Sequence, residues 1–429
     1  MSALARILLE QGHTVKGSDS KESQTLVDLA AAGATIYREH KASHIQADDI
    51  VVYSSSIAND HVEYQAALRK NVPLYHRSAC LDQLLQAHKP LLVTGAHGKT
   101  TITTLLSYFL QEGNWDPSYV VGGFSPSLAS NGHWGGGPYF VAEADESDGS
   151  FLRSTSYGAI IANIDKDHLE YWHTEEALIA GYRQFIDQVA KKDLLVWYGD
   201  DVLLTKEAPS LESVGYYPHN KYQIRDHSDG TYSVQGPDMV LQHVESPLIG
   251  IHNRINSALA MVLAYKLGVS QERLHKAMGS FSHVQRRLEY LGTGAHGIAC
   301  YSDYAHHPRE ILATYQALQA QFPQRRIWVI LQPHRYSRVR TLYKEFQCVC
   351  AQIPYLIVTD IYAAGELPSG DTPIDANCYV AQSRLTSHIQ TQWQEGDVLV
   401  AMGAGDIDQW VRQLVLFSRT TPEKSVSAL

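Results

Sequence analysis

The feature that most constrains the fold of this chain is the stretch LLVTGAHGKTTITTLLSYFL at residues 91–110. An apolar run typical of a buried strand leads into a turn that contains glycines and a lysine, and a helical pattern follows at once. In such a unit several backbone N–H groups and the positive end of the helix dipole point at one spot, where a phosphate group can bind. The stretch therefore predicts a strand, a phosphate-binding loop and a helix within an α/β domain.

The predicted loop departs from the common nucleotide-binding pattern G-x-x-x-x-G-K-[ST], because Val93 stands where that pattern begins with glycine. The core Gly98-Lys99-Thr100 remains, in which Lys99 adds a full charge and the hydroxyl of Thr100 suits Mg²⁺ on a nucleotide. The predicted loop also includes the neighbouring residues Gly95, His97 and Thr101. A tight strand-to-helix connection with a surface lysine is the alternative.

A predicted metal site follows the next two strands. The strand YFVAEAD ends in a carboxylate cluster made of Glu143, Asp145, Glu146 and Asp148. Carboxyl ends of parallel strands face the crevice where ligands bind, so Glu143 or Asp145 beside Thr100 predicts an Mg²⁺ site. The following polar segment, ANIDKDHLEYW, places His168 beside the same crevice as ligand of a second metal ion. A solvated acidic loop is the alternative.

Two further segments carry side chains suited to nucleotide or substrate binding. The segment HNRIN opens a helix with Asn253 and Asn256 on one side, and their amides suit the edge of an adenine ring. Helix capping by Asn253 is the competing interpretation. Toward the C-terminus, Arg286 and Arg287 stand just before the third block of the chain, where guanidinium groups suit a transferring phosphoryl group. Asp303, His306 and His307 follow at the end of a predicted strand. His334, Arg335, Arg338 and Arg340 follow the next strand, and this basic cluster suits an anionic substrate such as a carboxylate. Solvated surface arginines are the alternative there.

Helix and strand patterns alternate within three successive blocks of the 429-residue chain, which predicts an α/β fold of two to three domains. We expect an N-terminal Rossmann-like parallel sheet at residues 1–88, a central P-loop-type ATPase domain at 89–283 and a C-terminal Rossmann-like domain at 284–429. The chain opens on the helical pattern SALARILLEQG, so the first strand of the N-terminal sheet is expected to be missing. Asp19 follows the first predicted strand, where doubly wound domains often bind a ribose hydroxyl.

Charge and composition exclude several classes of protein. A net charge of −10 argues against a protein that grips nucleic acid through many phosphates. We find neither an apolar run of roughly 18 residues nor a signal peptide, so a cytoplasmic protein that binds no membrane is expected. The five cysteines are scattered through apolar surroundings, which suits reduced thiols better than disulfides.

Taken in order, these motifs resemble the Mur ligases of peptidoglycan synthesis over nearly the whole chain. GAHGKTT resembles the nucleotide loop of that family, EADESDGSF its metal-binding strand end, NIDKDHLEYW its histidine segment and HNRIN its adenine-contacting helix. RRLEYLG, DYAHHPREI, LQPHRYSR and GAGDI continue in the family's order. The sequence departs from the family at Ala96, where a small hydroxyl residue is common, and at the start, where a glycine-rich turn that contacts the UDP-sugar diphosphate would precede residue 1.

The resemblance implies an ATP- and Mg²⁺-dependent ligase, active as a monomer or homodimer, that joins L-alanine to the carboxylate of UDP-N-acetylmuramate through an acyl phosphate. Lys99 and Thr100 would hold ATP phosphates and Mg²⁺, with Glu143 on one metal ion and His168 on a second. Asn253 and Asn256 would face the adenine, and Arg287 and Asp303 would belong to the C-terminal side of the ATP site. The amino-acid pocket would consist of His307, His334, Arg335 and Arg338, with His307 as the candidate base and His306 as the competing one.

Three other functions remain open at this stage. The nearest is the related ligase that attaches a whole tripeptide to the same sugar nucleotide in cell-wall recycling. A nucleotide-dependent switch or ATPase without ligase activity would share the phosphate loop. A nicotinamide-dependent oxidoreductase is disfavoured because no G-x-G-x-x-G motif occurs in the sequence.

Overall fold

The computed structural model describes residues 1–207, 212–367, 374 and 378–420. The chain forms two compact units, the first containing Met1–Pro247 and Ile255–Ser282, and the second containing Leu248–Arg254 and the chain from His283 onward. Both units alternate helices with mainly parallel strands, so the predicted α/β class is confirmed. The predicted domain ranges 1–88, 89–283 and 284–429 stay predictions.

The N-terminal segment consists of short strands connected by helices. Its elements are α1 Ser2–Glu10, β1 Lys16–Ser18, α2 Gln24–Ala31, β2 Thr35–Tyr37, β3 Val51–Tyr53, α3 Val62–Arg69, β4 Leu74–His76 and α4 Arg77–Leu85. β1 pairs in parallel with β2, and β3 pairs in parallel with β4. The sequence predicted one parallel sheet in this segment. The described strands instead form two separate parallel pairs, and no described strand hydrogen-bonds to both β1 and β3.

The rest of the first unit is built on a ten-stranded sheet. Its elements are β5 Lys89–Thr94, α5 Lys99–Glu112, β6 Ser118–Val120, β7 Gly132–His133, β8 Tyr139–Glu143, β9 Gly158–Ile161, α6 Leu169–Trp172, α7 Glu175–Gln188, β10 Leu195–Tyr198, α8 Val202–Glu207, β11 Glu212–Gly215, β12 Tyr222–Asp226, β13 Tyr232–Gln235, β14 Val240–Val244, α10 Gln271–Ser280 and all but the first turn of α9 Ile251–Lys266. The strand order in the sheet is β14-β13-β12-β11-β10-β9-β5-β8-β6-β7. β5 lies between β8 and β9, parallel to both, so the carboxyl ends of these three strands meet at one edge.

Helix α5 is buried along most of its length although it is rich in hydroxyl side chains. The hydroxyls of Thr103, Thr104 and Ser107 donate hydrogen bonds to the carbonyl four residues earlier, at 2.8, 2.7 and 2.8 Å. Because a buried polar group is costly only when it lacks a partner, these bonds allow the segment TTITTLLS to form a core helix. The helix is thereby held rigidly behind the loop that precedes it.

The second unit has a five-stranded sheet. Its elements are β15 Glu289–Thr293, β16 Ala299–Asp303, α11 Pro308–Gln321, β17 Ile327–Leu331, α12 Tyr336–Thr341, α13 Tyr343–Cys350, β18 Tyr355–Val358, α14 Leu385–Gln390, β19 Val398–Met402 and α15 Ile407–Thr420. The strand order in the sheet is β15-β16-β19-β17-β18. Only the edge strand β15 is antiparallel among these pairings, and an apolar core covers each face of the sheet. The carboxyl ends of β16, β19 and β17 are therefore neighbours.

All five cysteines are free thiols, and Cys80, Cys300 and Cys350 are buried. Across the described ranges, no helix combines the length and the apolar character that a bilayer-spanning segment requires.

Candidate functional site

The loop between β5 and α5 depends on two glycines. Gly95 and Gly98 have φ angles of 132° and 86°, in the region that residues with a β-carbon rarely adopt. A β-carbon on Gly95 would lie 2.9 Å from the backbone nitrogen of Asn163, and one on Gly98 would lie 2.6 Å from Oδ1 of Asn256. The loop is thus closely covered by two asparagines, and its glycines leave room for them.

Asn163 clamps this loop to the end of β9. Its Oδ1 accepts a hydrogen bond from the backbone N–H of His97 at 2.9 Å, and its Nδ2 donates to the carbonyl of His97 at 3.0 Å. The ring Nε2 of His97 lies 3.0 Å from Oδ2 of Asp165. The sequence predicts a polar segment after this strand, ANIDKDHLEYW, but does not predict that its Asn163 and Asp165 contact the loop. Their positions directly after a strand parallel to β5 were the signal available.

Lys99, the first residue of α5, forms a buried ion pair with Glu146. Its Nζ lies 2.8 and 2.7 Å from the two carboxylate oxygens of Glu146 and donates to the carbonyl of Gly95 at 2.8 Å. Burial lowers the pKa of Lys99, but the carboxylates of Glu146 and Asp145 raise it further, so that the pKa lies above its ordinary value. Lys99 is therefore a fixed positive charge at the loop. The sequence predicted the lysine but did not predict Glu146 as its partner.

Thr100 and Glu143 converge beside Gly122, two residues after β6. A β-carbon on Gly122 would lie 2.7 Å from Oε1 of Glu143 and 3.2 Å from Oγ1 of Thr100, so both oxygens border one small space. Glu143 also accepts a hydrogen bond from the Gly122 N–H at 2.7 Å. A hydroxyl and a carboxylate oxygen are hard donors of the kind that Mg²⁺ prefers. Of the two predicted carboxylates, Asp145 instead lies 3.4 Å from the guanidinium group of Arg77.

His168 reaches the same ion pair from the segment after β9. Its φ of 59° is unusual for a residue other than glycine, and its N–H donates to Oδ1 of Asp167 at 2.9 Å. Its Nε2 lies 4.0 Å from Oε1 of Glu146 and 3.6 Å from Oδ2 of Asp167. The indole Nε1 of Trp172, in α6, donates to the backbone carbonyl of Glu146 at 2.9 Å. The structure therefore brings Lys99, Glu146 and His168 together.

The remaining residues predicted to bind nucleotide or ribose have different surroundings. Thr101 is buried in the first turn of α5, and Asn256 lies against Gly98. Asn253 belongs to the short segment of the second unit, where its Nδ2 donates to the carbonyl of Ile249 at 2.9 Å. Asp19 follows β1 and is exposed, and its Oδ1 accepts from the Lys21 N–H at 2.9 Å. The adenine and ribose roles stay predictions.

In the second unit, Arg286 and Arg287 both lie over the ring of Tyr304. Each guanidinium carbon is 4.9 Å from the ring centroid. Arg286 also donates to the carbonyls of Gly403 and Gly405, at 2.6 and 2.9 Å, directly after β19. Arg286 is thus anchored to the sheet, and Arg287 is held beside it by cation–π contact with the same ring.

Asp303, the last residue of β16, is buried and accepts several hydrogen bonds. Its carboxylate accepts from the backbone N–H groups of Leu288 at 2.7 Å and Ala305 at 2.6 Å, and from the hydroxyl of Thr314 at 3.3 Å. Burial raises the pKa of Asp303 to about 6. The carboxylate ties the arginine-bearing turn to the end of β16. Its predicted place in the ATP site stays a prediction.

The adjacent histidines His306 and His307 have different surroundings. His307 precedes α11, where its Nδ1 accepts from the Arg309 N–H at 3.3 Å and its own N–H donates to Glu310 at 3.2 Å, forming a capping box. The ring of His306 lies 5.6 Å from that of His334 in an edge-to-face arrangement. Burial lowers the pKa of His306 to about 4. His306 therefore belongs to the histidine and arginine group that the sequence predicted as the amino-acid pocket.

That group includes His334, Arg335 and Arg338, which follow β17. The ring of His334 stacks on Tyr362 with a centroid separation of 5.7 Å, and the N–H of Arg335 donates to the carbonyl of Tyr362 at 2.9 Å. Burial and the positive charges of Arg338 and Arg335 lower the pKa of His334 to about 4. In such a group the two arginines can bind a carboxylate, and a neutral imidazole beside them can accept a proton.

Three family models match successive parts of the chain. The model described as Mur ligase family, catalytic domain, matches residues 1–89, that of the Mur ligase middle domain matches 93–264, and that of the Mur ligase, glutamate ligase domain, matches 286–405. The three matches follow one another in the order in which the sequence motifs occur.

Whole proteins match over nearly the full chain. The UDP-N-acetylmuramate--L-alanine ligase of Protochlamydia amoebophila is 37% identical, with 95% of this chain and 93% of the relative covered. The enzyme of the same name from Desulfatibacillum aliphaticivorans is 34% identical, with 95% and 94% covered. The crystal structure of UDP-N-acetylmuramate-alanine ligase MurC from Thermotoga maritima superposes with a TM-score of 0.83 at 25% identity, covering 98% and 97%. A murein peptide ligase from Psychrobacter arcticus shares the fold, with a TM-score of 0.73 at 21% identity, covering 100% and 97%.

Proposed function

The chain belongs to the Mur ligase family, and we propose that it joins L-alanine to the carboxylate of UDP-N-acetylmuramate at the expense of ATP. The observation that carries this choice of substrates is the identity of 34–37% to ligases of that name over at least 95% of the chain. The loop with Lys99 supports the use of a nucleoside triphosphate, because a charged lysine at a helix N-terminus binds phosphate.

The first chemical step brings two anions together, since the muramate carboxylate must attack the γ-phosphorus of ATP. Two unit charges at 4 Å repel by about 4 kcal/mol at an effective dielectric constant near 20. Lys99 and the N-terminal amides of α5 offset part of this repulsion. Bound Mg²⁺, which Thr100 and Glu143 would hold with His168 at a second ion, supplies further positive charge on the phosphate oxygens. The product of this step is an acyl phosphate and ADP.

In the second step the amine of L-alanine attacks the acyl carbon and inorganic phosphate leaves. The amine must first lose a proton, because free alanine is mostly protonated at pH 7. We assign the alanine carboxylate to Arg335 and Arg338. Of the two candidate bases, we favour His306, whose ring lies edge-to-face against that of His334, over His307, whose ring Nδ1 accepts a hydrogen bond that caps α11. A neutral imidazole can accept the proton.

The experiment that tests this function is phosphate release from ATP in the presence of UDP-N-acetylmuramate and Mg²⁺, with L-alanine, L-serine, glycine or a tripeptide as the acceptor. We expect release that requires both the sugar nucleotide and L-alanine. A preference for the tripeptide would assign the chain to the recycling branch of the family. Release that ignores every added amine would refute the ligase function and favour an ATPase.

A further inference from the structure

The ammonium group of Lys99 already has a partner for each of its hydrogens. It has three N–H donors, and its three close acceptors are the carbonyl oxygen of Gly95 at 2.8 Å and the two carboxylate oxygens of Glu146 at 2.8 and 2.7 Å. The Gly95 carbonyl is part of the loop and moves with it. A phosphate oxygen that accepts a hydrogen bond from Lys99 must therefore compete with Glu146.

The displaced carboxylate cannot move far. Glu146 is 2% exposed, and its backbone carbonyl is held by the indole N–H of Trp172 at 2.9 Å. A buried carboxylate without a partner is unstable. The released group needs a new cation or proton close to its present position.

A side chain that can share such a cation is that of His168. Its Nε2 lies 4.0 Å from Oε1 of Glu146, so one ion bound between the two atoms would need only small side-chain movements. Asp167, whose Oδ2 lies 3.6 Å from the same nitrogen, adds negative charge there. Carboxylate and imidazole together are common ligands of divalent cations.

We propose that Glu146 exchanges partners during the reaction cycle: it neutralises Lys99 before nucleotide binds, and it ligates a divalent cation together with His168 once phosphate has taken Lys99. The inference rests on the proposed function, because it needs a nucleoside triphosphate at the loop. In this cycle the lysine never lies unpaired in a buried site, and the second cation is recruited only when nucleotide is present.

The exchange is tested by nucleotide and metal binding, without reference to turnover. Isothermal titration with ADP in the presence of EDTA measures the competition between phosphate and Glu146 for Lys99. We expect Glu146→Gln to bind ADP roughly tenfold more tightly than the wild type does, because a charged competitor is removed. Titration of Mn²⁺ in the presence of a non-hydrolysable ATP analogue, followed by electron paramagnetic resonance, counts the bound ions. There we expect Glu146→Gln to weaken one of two ions by at least about tenfold.

Two further variants serve as controls. His168→Ala should weaken the same Mn²⁺ ion yet leave ADP affinity in EDTA at the wild-type value. Asp28→Asn, in α2, whose carboxylate accepts a hydrogen bond from the side-chain amide of Gln24 at 2.9 Å, should change neither measurement. The proposal would be overturned if Glu146→Gln bound ADP no more tightly than the wild type, or if this variant bound both Mn²⁺ ions with wild-type affinity. A wild-type protein that binds nucleotide and both ions but joins no amino acid would refute the proposed function alone.

Discussion

The side-chain amide of Asn256 lies against Gly98, so close that a β-carbon on the glycine would stand 2.6 Å from Oδ1 of the asparagine. Gly98 is also the residue before α5, with φ at 86°. The contact joins the helix α9 to the loop that carries Lys99. It explains why this position requires glycine on two independent grounds, the backbone angle and the space available.

The first prediction concerns this glycine. Gly98→Ala should lower the free energy of unfolding by about 1–2 kcal/mol through the left-handed backbone alone, and the close contact with Asn256 adds to this loss. The variant should also bind nucleotide at least tenfold more weakly, because the substitution displaces the loop. Isothermal titration with ADP measures the loss. The matched control is Gly279→Ala in α10, where a β-carbon meets open space, and which should leave ADP affinity unchanged. Equal ADP affinity in the two variants would contradict the role given to Gly98.

The second prediction concerns the ion pair of Lys99. Lys99→Ala should lower turnover by at least ~100- to 1,000-fold, because a preorganised positive charge is lost at the phosphates. It should also lower the free energy of unfolding at pH 7, by up to the roughly 3–5 kcal/mol seen when one partner of a buried pair is removed. Urea denaturation of the double variant Lys99→Ala/Glu146→Gln should recover much of that stability without recovering turnover. A single variant as stable as the wild type would argue that Glu146 is not an ionised partner.

The third prediction concerns the donors beside Gly122. Glu143→Gln should raise the Mg²⁺ concentration needed for half-maximal turnover, because a charged ligand of the ion is removed. Loss of a residue that only hydrogen-bonds to a metal ligand typically weakens metal binding ~10- to 100-fold, and we expect a larger effect here. Thr100→Ser, which keeps the hydroxyl, should require far less additional Mg²⁺ than Thr100→Val, which removes it. An identical Mg²⁺ dependence in the two threonine variants would show that the hydroxyl does not ligate the ion.

The fourth prediction is a loss of stability on acidification. His252, His306 and His334 each have a pKa lowered to about 4, chiefly by burial, against an ordinary value of 6.5. Between pH 4 and pH 6.5 the folded chain binds fewer protons at these histidines than the unfolded chain does. Their contribution to the free energy of unfolding is therefore fully present above pH 6.5 and is lost as the pH falls toward 4. Asp303, whose pKa burial raises to about 6, acts in the opposite direction but is one group against three.

Urea denaturation at several pH values between 4 and 7 should show the free energy of unfolding decline as the pH falls, and His306→Gln should make this decline shallower. A free energy of unfolding that stays level over this range would contradict the burial of these imidazoles.

The phosphate loop could be predicted from the sequence because its determinants are local. The apolar strand, the glycines, Lys99 and the helix are consecutive, and the glycine φ angles follow from the need for a tight turn. The α/β class followed in the same way from alternating patterns. The N-terminal sheet was only partly predictable, since parallel strands and connecting helices can be recognised while their pairing into two separate sheets cannot.

The partner of Lys99 could not be predicted, because it depends on the path of the chain after β8. Glu143 ends the strand, and Glu146 lies three residues later in a loop whose course has no periodic signal. The choice between His306 and His307 has the same origin. Neighbouring residues at a strand end point in different directions, and the capping role of His307 depends on where α11 begins.

The central claim, that the sugar acid is activated by phosphorylation, is tested most directly with UDP-N-acetylmuramate in which both carboxyl oxygens are ¹⁸O. When the amine attacks the acyl phosphate, the bond between the carbonyl carbon and the bridging oxygen breaks, so phosphate leaves with one carboxyl oxygen. Mass spectrometry of the phosphate released in the presence of ATP and L-alanine should therefore find one ¹⁸O atom per molecule. Released phosphate without ¹⁸O would contradict the acyl phosphate route.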